Sequence, residues 1–165
     1  MDVYLIRHAI AHERNSTRWP NDALRPLTTA GMRKFRKAAA GLARCVPKAA
    51  AVFTSPYVRA RETAAILAES AKFKTAVESA ELVPGKPPRA VFDLLRTRRR
   101  SAVVLVGHEP DLSAWVSAAL AVEPTSIKSE FKKGGAACVR FEKGIGPGGA
   151  TLVWLLPPRV LRAMR

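Results

Sequence analysis

Ala102-Val103-Val104-Leu105-Val106 places five apolar residues in a row between Ser101 and Gly107. The run is too short for a helix and lacks the alternation of a strand with one wet face. It therefore reads as a strand covered on both sides, which requires a sheet with helices packed on each face. Val3-Tyr4-Leu5-Ile6 and Ala51-Val52-Phe53-Thr54 are two further short apolar runs of strand character. A helix is expected from Thr28 or Thr29, where hydroxyl caps precede Met32, Phe35, Ala39 and Leu42 at helical spacing. Arg33, Lys34, Arg36 and Lys37 fall on its other side and read as a solvated face. Ser55-Pro56 reads as a cap followed by proline at the first helical position, opening a helix to about Ala71. A weak extended stretch near Ala76 and Val77 is followed by a helix from about Arg89 into Arg96-Thr97-Arg98-Arg99-Arg100, cations that suit a helix C-terminus. Asp111 is expected to cap a helix through Leu120, with Leu112, Trp115 and Leu120 in the core. Residues 137–141 and 151–155 flank a glycine-rich turn and predict a hairpin. Strands alternating with helices predict one α/β domain over residues 1–165, with a mostly parallel central sheet and a C-terminal antiparallel hairpin.

Composition narrows the partners. With 28 Lys+Arg against 13 Asp+Glu the net charge is +15, which attracts phosphates, acidic proteins or nucleic acid without choosing among them. The cations are scattered along helices and aromatics are only 7%, so a stacking surface for single-stranded nucleic acid is not expected. Cys45 and Cys138 are far apart and lack a C-x-x-C partner, so they read as buried thiols rather than a disulfide or a zinc site. The N-terminal run breaks at Arg7-His8, unlike a signal peptide, and no apolar stretch reaches the roughly 18 residues of a membrane helix. These features predict a soluble, cytoplasmic monomer with no membrane partner.

The chemistry lies at three strand ends. Arg7-His8 follows the first strand, Ser55-Pro56-Tyr57-Val58-Arg59 the second, and Gly107-His108 the long apolar one. In a parallel sheet these ends share one rim, where ligands bind. Two imidazoles and two guanidiniums converging beside a helix N-terminus make an anion site. A neutral imidazole among arginines is also a nucleophile that can accept a phosphoryl group. Arg7 and Arg59 are expected to hold the His8 pKa down, while Arg7, Arg59 and His108 face the oxygens of the transferring group. His12 lies four residues after His8, but in a loop, so it reads as pocket rim rather than a metal ligand. Trp19-Pro20-Asn21-Asp22 reads either as a lid or as an aromatic tucked under a loop, and Glu62 either faces the pocket or pairs with Arg61.

Four segments together resemble a known family: Arg7-His8-Ala9, Arg25-Pro26-Leu27-Thr28-Thr29-Ala30-Gly31, Ser55-Pro56-Tyr57-Val58-Arg59-Ala60-Arg61-Glu62-Thr63-Ala64 and Val106-Gly107-His108-Glu109-Pro110. Their order is similar to that of the histidine phosphatase superfamily, whose fold is the phosphoglycerate-mutase-like three-layer α/β/α type. The Arg-Pro-Leu-Thr-Thr and Leu-Val-Gly-His-Glu-Pro-Asp-Leu segments resemble its short bacterial phosphohistidine phosphatases. The resemblance implies that His8 becomes phosphorylated, that Arg7, Arg59 and His108 form the phosphate pocket, and that Arg25 lines its entrance, with no metal or other cofactor. Ala9 stands where the wider family has glycine. Glu81 is the nearest candidate for a general acid, but the fuller acidic motif of the ester-cleaving members is missing. An imidazole leaving group, of ordinary pKa about 6.5, makes less demand on such an acid than an alkoxide does. Phosphohistidine in an acidic protein domain is thus the expected substrate. A small phosphate ester, nucleotide or polyphosphate is the alternative, and a non-catalytic phospho-ligand or nucleic-acid binding module is the rival of another class.

Overall fold

The computed structural model describes residues 1–47, 50–98, 101–122 and 127–164. Its strands are β1 (Asp2–Arg7), β2 (Ala51–Thr54), β3 (Val77–Glu78), β4 (Ala102–Gly107), β5 (Ala136–Phe141) and β6 (Ala150–Leu156). Its helices are α1 (Thr29–Cys45), α2 (Val58–Ala71), α3 (Pro88–Arg96), α4 (Asp111–Leu120) and α5 (Pro158–Ala163), with short 3-10 turns at Asp22–Leu24 and Ala80–Leu82. The sheet order is β3-β2-β4-β1-β5-β6. The first four strands are mutually parallel, and β5 and β6 are antiparallel additions, as the sequence predicts.

β4 is buried along its whole length because it sits between β1 and β2 with helices on both faces. Alternate side chains enter two cores. Tyr4, Ile6, Val104 and Val106 pack with α1, α2 and Leu161 of α5. Val3, Leu5, Val103 and Leu105 pack with Phe92 and Leu95 of α3 and with Leu112 and Trp115 of α4. Each fully buried aliphatic side chain contributes on the order of 1.5–3 kcal/mol, so the layers hold without a cross-link. Cys138 is buried, whereas Cys45, at the end of α1, is only half-buried.

Local chemistry shifts several predicted boundaries. Thr28 caps α1 as expected, accepting the Gly31 N–H at 2.9 Å. The second helix begins at Val58, after Tyr57, rather than at Pro56. The Ser55 hydroxyl accepts the Tyr57 N–H at 3.3 Å and also bonds His108, but regular helix starts only after Tyr57. Asp111 is the first residue of α4, not its cap, and its carboxylate reaches across to accept the Gly85 N–H at 3.0 Å. The cation run after α3 separates: Arg96 pairs with Asp93, Arg98 lies over the Phe53 ring, and Arg99 and Arg100 fall outside the described residues. α5, absent from the sequence reading, opens on Pro157-Pro158 and packs on α1 at Gly41, where a Cβ would stand 1.9 Å from the Leu161 carbonyl oxygen. Among the described residues no helix is long and apolar enough to cross a membrane.

Candidate active site

β2, β4 and β1 are neighbours, and their carboxyl ends deliver Ser55, Gly107-His108 and Arg7-His8 to one rim. The His8 N–H donates to the Gly107 carbonyl and the Ser55 N–H to the Val106 carbonyl, both at 3.0 Å, which fixes the strand ends against one another. The Thr63 hydroxyl donates to the Arg59 carbonyl and accepts the Ala9 N–H at 3.0 Å. One turn of α2 is thereby tied to the chain just after His8. Glu62 neither faces the pocket nor pairs with Arg61; it accepts the Leu27 N–H at 2.7 Å, while Arg61 pairs with Glu78. Gly31 completes the arrangement, since a Cβ there would stand 2.1 Å from the Ile10 carbonyl oxygen. The residues of the four segments are the contacts that hold those segments together.

The rim opens into a cleft of about 520 Å³ lined by Arg7, His8, Arg25, Arg59 and His108 among others. His8, Arg59 and His108 are 6%, 5% and 3% exposed. The His8 and His108 ring centroids are 5.1 Å apart, and Tyr57 stands edge-on to His108 with the Arg59 guanidinium 4.9 Å from the Tyr57 centroid. His8 Nδ1 lies 2.7 Å from the Ala9 carbonyl oxygen, which can only accept, so Nδ1 carries the proton and Nε2 keeps a lone pair. Burial is the main cause that pushes the His8 pKa down to about 3, with Arg59, Arg7 and Arg25 adding to it and the Ala9 hydrogen bond opposing it. The neighbouring arginines made the direction legible from sequence, but desolvation is the larger effect. Burial and the neighbouring His8 push His108 down to about 2.

His108 Nε2 is 2.9 Å from the Ser55 hydroxyl. If that hydroxyl donates, Nδ1 bears the His108 proton. Among the described residues, His108 Nδ1, Arg7 Nε and Arg59 Nε are buried without a hydrogen-bond partner. Buried polar groups are normally paired, and a buried donor left unpaired costs about 1–3 kcal/mol. Three such atoms on residues of one cleft mark a place arranged for acceptor oxygens.

Asp22, read from the sequence only as part of a lid or loop segment, holds the cations in place. Its Oδ2 is 3.1 Å from Arg59 Nη2, its carbonyl accepts from Arg59 Nη1 at 2.9 Å, and its Oδ1 accepts from Arg25 Nε at 2.8 Å. Arg25 also donates to the His12 carbonyl at 2.6 Å, so it sits at the cleft rim. The Arg25 hydrogen bond and the Arg59 charge hold the Asp22 carboxyl below its usual range. His12 lines the same cleft and lies tilted against the half-buried Trp19, with ring centroids 5.1 Å apart. Glu81 does not line the cleft. The Ala80–Leu82 turn directs its carboxylate to the Ser79 hydroxyl, beside a small neighbouring cavity that it shares with His108. Glu13, Asp22 and Glu109 line the cleft; of these Glu109 is half-buried, accepts from the Ser113 hydroxyl at 2.9 Å and has its pKa raised by burial. Among the described residues no group of three His, Cys, Asp or Glu side chains is placed to hold a metal.

The chain is similar to known proteins in sequence and in fold. The family model of the histidine phosphatase superfamily (branch 1) matches residues 3–83. An uncharacterized protein of Picosynechococcus sp. is 34% identical over 148 residues, covering 82% of each chain. Among solved structures, the protein histidine phosphatase SixA complexed with tungstate is similar at a TM-score of 0.81 and 26% identity, covering 98% of this chain and 99% of that one. A phosphoglycerate mutase from Thermus thermophilus shares the fold at a TM-score of 0.60 and 19% identity, over 94% and 98% of the two chains. The three-layer α/β/α architecture is thus the phosphoglycerate-mutase-like fold, and the chain belongs to the histidine phosphatase superfamily.

Proposed function

We propose that the protein is a phosphatase that removes the phosphoryl group of a phosphohistidine borne by another protein, through a phosphorylated His8. What carries this reading is the set of buried, unpartnered donors on Arg7, Arg59 and His108 beside a neutral His8 whose Nε2 lone pair is free. The similar SixA structure holds tungstate, a tetrahedral oxyanion, which supports the same use of this cleft.

In the first step His8 Nε2 attacks phosphorus. The new N–P bond forms as the bond to the substrate imidazole breaks, and the departing ring takes up a proton from solvent, which the attacking water returns in the second step. Water then attacks the phosphorus on His8, releases inorganic phosphate and returns the neutral ring. Burial of His8 keeps its lone pair available throughout the neutral range. Arg7 and Arg59 supply positive charge to the non-bridging oxygens, His108 supplies a neutral donor, and Arg25 holds the rim. Glu81 has no place in this sequence of steps, and a P–N bond has little need of it.

The decisive experiment is rapid acid-free quenching after mixing with a phosphohistidine peptide. Wild type should carry acid-labile phosphate on His8, and His8→Ala should carry none and turn over at least about 1,000-fold more slowly, as expected for loss of a nucleophile. Unchanged turnover in His8→Ala overturns the reading.

Glu109 favours a second reading, hydrolysis of a small phosphate ester. A half-buried carboxyl with a raised pKa in the cleft is suited to protonate an alkoxide. On that reading Glu109→Gln slows aryl-phosphate hydrolysis about 100-fold, whereas on the first it leaves phosphohistidine hydrolysis within a few-fold of wild type.

A further inference from the structure

α1 carries five cations, Arg33, Lys34, Arg36, Lys37 and Arg44, and no carboxylate. The first four are exposed, and among the described residues no ion pair reaches them. Several surface cations elsewhere are paired, Arg61 with Glu78, Arg89 and Arg96 with Asp93, Lys132 with Glu130 and Arg140 with Asp2, whereas α1 gathers four unpaired ones within five residues. Like charges three and four residues apart on a helix repel, so this face is unfavourable in the isolated protein.

The face also has a shape. Lys34 lines a groove of about 230 Å³ floored by Ile10, Phe35, Ala38 and Pro158. Lys133 lines both this groove and the His8 cleft, so the groove beside α1 adjoins the site of the candidate nucleophile.

We propose that α1 and this groove dock an acidic segment of the phosphoprotein and bring its phosphohistidine to His8. The inference rests on the function proposed above and assigns the substrate's neighbouring surface. Complementary charge steers such an encounter and fixes its register, while the apolar floor accepts the side chains between the acids. A nucleic acid fits less well, because the one aromatic ring on the floor, Phe35, is buried and offers no stacking platform.

The test uses a fluorescein-labelled amphipathic peptide rich in Asp and Glu with one unphosphorylated histidine, its binding followed by anisotropy. Lys34→Glu/Lys37→Glu should weaken binding about tenfold, and Lys34→Gln/Lys37→Gln should do so by less in the same direction. The control is Lys74→Glu/Lys143→Glu, an equal change of net charge at exposed residues before β3 and after β5, at the end of the sheet away from the cleft. It should change affinity by less than about twofold. Equal losses in both charge-reversal variants, no loss in Lys34→Glu/Lys37→Glu, or no binding by wild type at about 1 mM peptide overturns the proposal. So does a 20-base-pair DNA duplex that binds more tightly than the peptide and loses the same affinity in Lys34→Glu/Lys37→Glu. Because the peptide carries no phosphate, binding is read apart from turnover. Intact peptide binding with no phosphate release from its phosphorylated form counts against the enzymatic reading alone.

Discussion

His8 and His108 are buried as neutral rings, and that has a cost in acid. The unfolded chain takes up a proton on each histidine near the ordinary pKa of about 6.5, whereas the folded chain does not until about pH 3 for His8 and about pH 2 for His108. Below about pH 6.5 the unfolded state therefore binds more protons, and stability falls as pH falls, by up to about 1.4 kcal/mol per pH unit for each ring. Urea unfolding at pH 7, 6 and 5 should show the loss, and His108→Asn should flatten the slope. A slope unchanged by that substitution would mean that His108 is not the group responsible. Asp22 makes a separate demand at this scale. Its backbone carbonyl holds Arg59 Nη1 and its carboxylate pairs with Nη2, so Asp22→Ala removes one of the two anchors of the guanidinium and lets it tilt. Misplacement of one oxyanion ligand should lower kcat/KM by about 10- to 100-fold with phosphate-ester or phosphohistidine substrate alike. The sequence made Arg59 legible because a cation near a helix N-terminus opposes the dipole. The Asp22–Arg59 contact was illegible because the two lie 37 residues apart with α1 and β2 between them, and Asp22 stands in a segment with no periodic pattern.

Elements were easiest to read where burial alone decides them. The five-residue apolar run became β4 because only a strand flanked on both sides can bury every residue, and α1 followed its cap and its apolar spacing. Errors arose where one polar side chain had two possible uses. Ser55 has the chemistry of a helix cap, and its hydroxyl accepts the Tyr57 N–H as well as bonding His108, but α2 itself starts at Val58. Glu62 could have paired with the adjacent Arg61, yet it accepts the Leu27 N–H and so joins α2 to the loop before α1. That contact predicts a difference between two variants. Glu62→Ala leaves the Leu27 N–H without its acceptor and should cost about 1–3 kcal/mol in chemical unfolding, while Glu62→Gln keeps an acceptor and should cost less than half as much. Equal losses would show that the carboxylate charge, rather than the hydrogen bond, is what matters.

At the scale of the whole molecule, the sheet order does what no single segment can. β4 lies between β1 and β2, so residues about 50 positions apart in sequence, Arg7-His8, Ser55 and His108, end beside one another. That much followed from parallel topology, but the position of Glu81 outside the cleft and of Glu109 within it did not, because both depend on how a turn leaves the strand. The net charge of +15 acts over the same scale. A field of that sign raises the rate at which a phosphate dianion reaches the cleft, but it contributes little once the dianion is bound among Arg7, Arg59 and His108, where water is largely excluded. Salt shortens the reach of the field, to about 10 Å at 0.1 M and less above it, and barely touches buried contacts. The two effects separate in steady-state kinetics. Raising NaCl from about 20 to 300 mM should lower kcat/KM several-fold while kcat stays within about twofold. If kcat falls in parallel, salt is weakening contacts made in the transition state, and the long-range field is not what brings substrate to His8.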